Sequence, residues 1–144
     1  MLTKLIIAFV LMGLCVAIHA MGLVAALRWV KVRLARGTRG FGPSAWRLVR
    51  LASWTILLHL LQILLWAAFY AISGAMPDFA TAAYFSMVTY TTTGYGDLVL
   101  PEEWRLVGGV EALTGILMCG LSTGMFFAVF SDLFGLRRGS TPPA

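Results

Sequence analysis

The sequence predicts an all-α membrane protein: three transmembrane helices, with a short re-entrant helix and a glycine-bearing loop between the second and third. Three observations predict it. The 144 residues are 60% hydrophobic and only 12% charged, more apolar surface than a soluble domain of this length can cover. Three apolar runs, residues 5–27, 51–74 and 104–134, are each long enough to cross a bilayer. A fourth run, residues 78–91, is too short to cross and stops at Thr92-Thr93-Gly94-Tyr95-Gly96.

The composition also bounds function. No phosphate loop, nucleophile motif or metal-ligand spacing is present, so nothing suggests an enzyme or a bound cofactor. Cys15 and Cys119 lie in different apolar runs and give no disulfide framework. The net charge of +5 is concentrated in one loop, where it reads as a topology signal rather than a nucleic-acid surface.

Residues 1–27 form the first helix unit, and at 1.5 Å per residue the apolar run is roughly 35 Å long. A cleaved signal peptide competes with this reading, because Lys4 precedes the run and small residues occur at Ala17 and Ala20. The run is long for a signal sequence and continues unbroken to Leu27, which favours a retained helix. Residues 28–50 follow as a basic linker: Arg28, Lys31, Arg33, Arg36, Arg39, Arg47 and Arg50, without an acidic residue. Gly37, Gly40, Gly42 and Pro43 break its middle into a loop. The positive-inside rule places this linker in the cytoplasm and the amino terminus outside. Arginines at every third position invite a voltage-sensor reading, but these lie beyond the apolar run, and the preceding helix offers no carboxylate to pair with them. Trp29, Trp46 and the arginines suit contact with anionic lipid headgroups.

The second span, residues 51–74, carries Trp54 near its start and Trp66, Phe69 and Tyr70 near its end, as interfacial aromatic belts do. His59 lies at membrane depth, either as a neutral imidazole bonded to a neighbouring helix or as a functional group. Gly74-Ala75-Met76-Pro77 ends the span. Asp78 then suits the N-cap of the re-entrant helix, which requires burial in protein because irregular backbone is not tolerated in lipid. Asp97, Glu102 and Glu103 return the chain to the outer surface. The last span, residues 104–134, exceeds the bilayer thickness and must tilt or project. Arg137 and Arg138 in the 135–144 tail are again positive and inside.

The loop itself carries the chemistry. Gly94 and Gly96 take positive φ at little steric cost, so residues can alternate in handedness and successive carbonyls can point the same way, as a ring of oxygens around a dehydrated cation requires. Thr92-Thr93-Gly94-Tyr95-Gly96 resembles the potassium-channel selectivity filter, with Thr93 where Val is usual. Residues 51–134 resemble the two-helix pore module of bacterial potassium channels, and the first helix is extra to it. The resemblance implies a homotetramer in the plasma membrane that conducts K+ passively, K+ being the permeant ion and not a cofactor. The carbonyls of Thr92, Thr93, Gly94 and Tyr95, with the Thr92 hydroxyl, would line the filter that Gly96 closes. Asp97, Glu102 and Glu103 would make an acidic outer mouth.

On the last span, Gly115 matches the family's inner-helix glycine, as a hinge or as a site of close packing. If it is a hinge, Ile116, Cys119, Thr123 and Phe127 share one face and would line the inner cavity, with Phe127 narrowing its cytoplasmic end. Two positions depart from well-known members. The carboxylate found behind some filters falls on Val88, and the paired tryptophans of the pore helix are replaced by Tyr84-Phe85. Phe85 cannot donate a hydrogen bond to Asp97, so the family's usual outer clamp on the filter is in question and inactivation would differ; Tyr84 or Tyr95 could supply other bonds. Glu111 lies about two turns into the last span, where a carboxylate needs a partner or a proton. It either supports the filter from behind the pore helix and makes gating pH-sensitive, or reaches to the outer interface. A poorly selective cation channel and a non-conducting subunit of a larger assembly are the alternative functions.

Overall fold

The structure is a computed structural model that describes residues 2–35 and 40–134. Arg36, Gly37 and Arg39 of the basic stretch, and the 135–144 tail, lie outside the described residues. Four α-helices follow in order: α1 (Leu2–Ala35), α2 (Phe41–Ile72), α3 (Phe79–Tyr90) and α4 (Arg105–Leu133), the last preceded by a 3-10 turn, Glu102–Trp104. Among the described residues, three helices are long and apolar enough to cross a membrane, Leu2–Val32, Phe41–Ile72 and Glu102–Leu133.

Both α1 and α2 run further into residues 28–50 than a glycine-broken loop allows. Arginine and lysine are good helix formers, so a basic stretch can continue a helix past the apolar run. Pro43 does not oppose this. It falls in the first turn of α2, where the missing N–H has no helical acceptor in any case, and the i−4 bonds begin just after it with Ser44 N–H to Gly40 O at 3.2 Å. The 34 residues of α1 make a helix about 51 Å long, well beyond a hydrocarbon core of about 30 Å.

The turn between α2 and α3 is closed by backbone alone. Gly74 takes φ +69°, Gly74 N–H bonds to Ala71 O at 3.3 Å and Ala75 N–H to Tyr70 O at 3.0 Å. That pair of bonds is a Schellman motif, which satisfies the last carbonyls of α2. Asp78 then caps α3, accepting from Thr81 N–H at 2.9 Å and from the Thr81 hydroxyl at 2.8 Å. The Thr81 backbone bond is the main reason its carboxyl is held below the usual range.

α3 packs between α2 and α4, and α1 lies along α4 and α2. The start of α1 meets the start of α4, where Lys4 Nζ sits 3.9 Å above the Trp104 ring. The other ends meet through Ala26, Val30, Met125 and Val129, so α1 and α4 run parallel. Trp54 Nε1–H donates to Gly22 O at 3.0 Å, fixing α2 against α1.

One sequence expectation is corrected here. Trp66 and Tyr70 are fully buried rather than placed in an interfacial belt. Their rings pack with Phe69 and Phe85, Tyr70 edge-on to Phe85 at 5.4 Å, and fill the wedge that the short α3 leaves between two long helices. Aromatic pairs of this geometry add to simple burial.

Candidate functional site

The site begins at the carboxyl end of α3. Thr91 ends the helix, and beyond it φ is positive at every second residue: Thr92 at 58°, Gly94 at 56° and Gly96 at 77°. The glycines accept this conformation freely. Thr92 does not, because a β-branched residue in the left-handed region costs on the order of 1–3 kcal/mol and persists only where its neighbours enforce it. The neighbours do so. Thr92 N–H bonds to Thr89 O at 2.9 Å, and Thr93 N–H and Gly94 N–H both reach Val88 O, at 3.0 and 3.3 Å. The Thr91 and Thr93 hydroxyls meet at 2.9 Å. Val88 thus serves the loop through its backbone carbonyl.

The far end of the loop is pinned as well. Tyr84 Oη–H donates to Asp97 Oδ2 at 2.7 Å, and that bond is the largest influence holding the Asp97 carboxyl below its usual range. Tyr84 therefore does what Phe85 cannot. Phe85 is buried against Tyr70 instead. Residues 91–99 are all exposed on the single chain, Tyr95 to 71%. Asp97, Glu102 and Glu103 are likewise exposed, near the start of α4.

Glu111 is 0% exposed, away from the outer interface. Tyr70 Oη–H donates to its Oε2 at 2.8 Å, and Ser86 Oγ bonds to its Oε1. The carboxyl joins α2, α3 and α4 directly behind the helix that carries the loop. Ser86 Oγ is also 3.0 Å from Ile63 O, so a single hydroxyl proton faces two acceptors.

Gly115 is buried at the crossing of α4 and α3. A Cβ there would lie 1.8 Å from Tyr90 O, and α4 runs through it as continuous helix. It therefore lies off the exposed face that carries Ile116, Cys119, Thr123 and Phe127, of which Phe127 is 68% exposed. Among the described residues no group of three or more His, Cys, Asp and Glu is placed to hold a metal.

Sequence reasoning missed one part of this region. His59 is bonded to neighbouring helices, through Tyr90 and Ser122, and His19 of α1 and Gln62 share the same cluster. The available signal was polar side chains inside the apolar runs, His19 in the first, Gln62 in the second and Ser122 in the third.

Comparison with known proteins agrees with this geometry. A family profile described as "Ion channel" matches residues 56–132, more than half of the chain. The protein belongs to that ion channel family. It is also similar to the potassium voltage-gated channel protein Shal of Drosophila melanogaster, 40% identical over 55 residues, which are 37% of this chain and 10% of that protein. No solved structure matches.

Proposed function

We propose that the chain is the subunit of a potassium-selective channel, four copies surrounding a passive pore whose filter is built from residues 92–96. The observation that carries this reading is the alternation of positive φ at Thr92, Gly94 and Gly96. Peptide units that alternate in handedness turn their carbonyls to one side, and four such strands replace the hydration shell of K+. The dipole of α3 supports the same reading, since its carbonyl end meets the loop and favours a cation there. The similarity to Shal, itself described as a potassium channel, supports K+ over other cations. Asp97, Glu102 and Glu103 then form the outer mouth and raise local cation concentration, and Ile116, Cys119, Thr123 and Phe127 line the inner cavity.

In this reading the protein lies in the plasma membrane with the amino terminus and the filter mouth outside and the tail inside. Anionic lipids meet the basic end of α1 and α2. There Ala25, Ala26, Trp29, Arg50, Leu51 and Trp54 line a recess of about 280 Å3, with the Arg50 guanidinium 4.7 Å above the Trp29 ring.

The test is the reversal potential of the purified protein in a planar bilayer with K+ on one side and Na+ on the other. A value near the potassium equilibrium potential, blocked by barium, upholds the proposal. A value near zero replaces it with a poorly selective cation channel. Silence across voltage, pH and lipid replaces it with a subunit that conducts only with a partner.

A further inference from the structure

Five side chains from all four helices close a ring of hydrogen bonds. Gln62 Nε2 is 2.8 Å from His19 Nδ1, and His19 Nε2 is 2.9 Å from Ser122 Oγ. Ser122 Oγ is 3.1 Å from His59 Nε2, His59 Nδ1 is 3.1 Å from Tyr90 Oη, and Tyr90 Oη–H returns to Gln62 Oε1 at 2.8 Å. His19 and Gln62 are 0% exposed, so these two must be satisfied within the ring, while His59 and Ser122 are partly buried.

Counting protons fixes the chemistry. Gln62 donates to His19 Nδ1, so His19 carries its proton on Nε2 and donates to Ser122. Ser122 donates to His59 Nε2, so His59 carries its proton on Nδ1 and donates to Tyr90, which donates to Gln62. Every member donates once and accepts once. Turning the Gln62 amide over reverses the whole circuit and exchanges the two tautomers, again leaving one of each. In both senses both imidazoles are neutral.

An added proton defeats the count. A proton on His59 makes both imidazoles donate to Ser122, whose own hydroxyl proton then has no acceptor in the ring. A proton on His19 sets Nδ1–H against the Gln62 amide N–H, and turning that amide over moves the surplus proton to Ser122 as well. In each case an imidazolium is confined among apolar helices. The titratable groups facing the ring do not offset that charge. Cys15 on α1, Cys119 and Glu111 on α4 are the ones that act on Tyr90, and Glu111 is already engaged by Tyr70 and Ser86. α2 carries no charged residue between Leu51 and Ile72. Ser122 also lines a recess of about 430 Å3 with Thr55, Thr123 and Phe127, the side on which the ring is open.

We propose that this ring is a pH-sensitive latch that ties α1 to the end of the pore helix, closed when both histidines are neutral and released when either is protonated. Tyr90 is its working end. Its hydroxyl is a ring member, its carbonyl bears on α4 at Gly115, and the filter begins two residues later. An ordinary imidazole titrates near pH 6.5. The latch favours the neutral form, so its contribution is complete above that range and lost as pH falls below it. Acid therefore lowers conduction.

The regulatory consequence rests on the channel reading, and the ring chemistry does not, so the experiment has two arms. The chain contains two histidines, and 15N-histidine labelling of the full protein in frozen proteoliposomes reads both. At pH 7.5 the expected spectrum shows two neutral imidazoles, one protonated on Nδ1 and the other on Nε2. Two identical tautomers, or an imidazolium at that pH, would overturn the ring. In bilayers, acidification from pH 7.5 to 4, well below the ordinary imidazole range because the latch favours neutral rings, should lower native current by roughly fivefold or more, the worth of one hydrogen bond. The doubly substituted H19Q and H59Q protein, whose amides still donate and accept, should lose that response. A response that survives in it overturns the latch. A native protein silent at every pH would sink the channel reading, while the spectrum still decides the ring.

Discussion

A methyl group at position 115 would lie 1.8 Å from the carbonyl oxygen of Tyr90, so α4 touches the end of α3 backbone to backbone. Only glycine permits that approach, and the contact is what sets α4 at its distance from the loop that follows α3. Gly115→Ala is expected to lower stability by about 3 kcal/mol, the upper range for overpacking a rigid site, read as a fall in thermal midpoint in detergent. Gly13→Ala, where nothing lies within 4 Å, should instead be neutral or slightly stabilising.

Tyr84→Phe removes the hydroxyl that holds Asp97. The folded carboxyl lies below its usual range, so the clamp is complete above the ordinary Asp value of about 3.9 and is lost only as pH falls through the lowered one. The substituted channel should inactivate faster at neutral pH. Asp97→Asn on that background should add little, because the two residues share one bond. Additive effects on the inactivation rate would show that Asp97 acts independently of Tyr84.

At Glu111 the proton inventory predicts a tolerant site for one change and a fragile one for others. A Gln amide can donate to Ser86 while its oxygen accepts from Tyr70, freeing the Ser86 proton for Ile63 O. Glu111→Gln should fold with nearly native stability and should remove any pH dependence of filter inactivation that arises here. Tyr70→Phe should cost about 1–3 kcal/mol, the cost of leaving a buried acceptor unsatisfied. Unchanged pH dependence in Glu111→Gln would assign that dependence elsewhere.

The two cysteines differ in exposure, Cys15 buried and Cys119 exposed. A small methanethiosulfonate reagent applied from the cytoplasmic side should modify Cys119 alone and reduce current, and Cys119→Ser should abolish the block. Labelling without loss of current would move this face of α4 away from the conduction path.

The helices, the cap at Asp78, and the glycines of the loop were legible in the sequence because each depends on local chemistry: apolar length, a capping carboxylate, tolerated positive φ. Glu111 stood out for the same reason, as a charge in an apolar run. What could not be read were contacts set by how helices cross. Trp66 and Tyr70 have the composition of an interfacial belt, and only the wedge around α3 makes them core. Nothing local tells His19 that Gln62, Ser122 and His59 are its neighbours. The positive φ at Thr92 was equally hidden, since it is imposed by bonds to Thr89 and Val88 rather than by the residue itself.

The pairing of Lys4 with Trp104 at one end of α1, and of Trp29 with Arg50 near the other, places two anchors on that helix about 37 Å apart at 1.5 Å per residue. That spacing exceeds an average hydrocarbon core of about 30 Å. α1 is therefore tied to the start of α4 at one end and to α2 near the other, and a helix whose tied length exceeds the hydrocarbon core fits the bilayer by tilting.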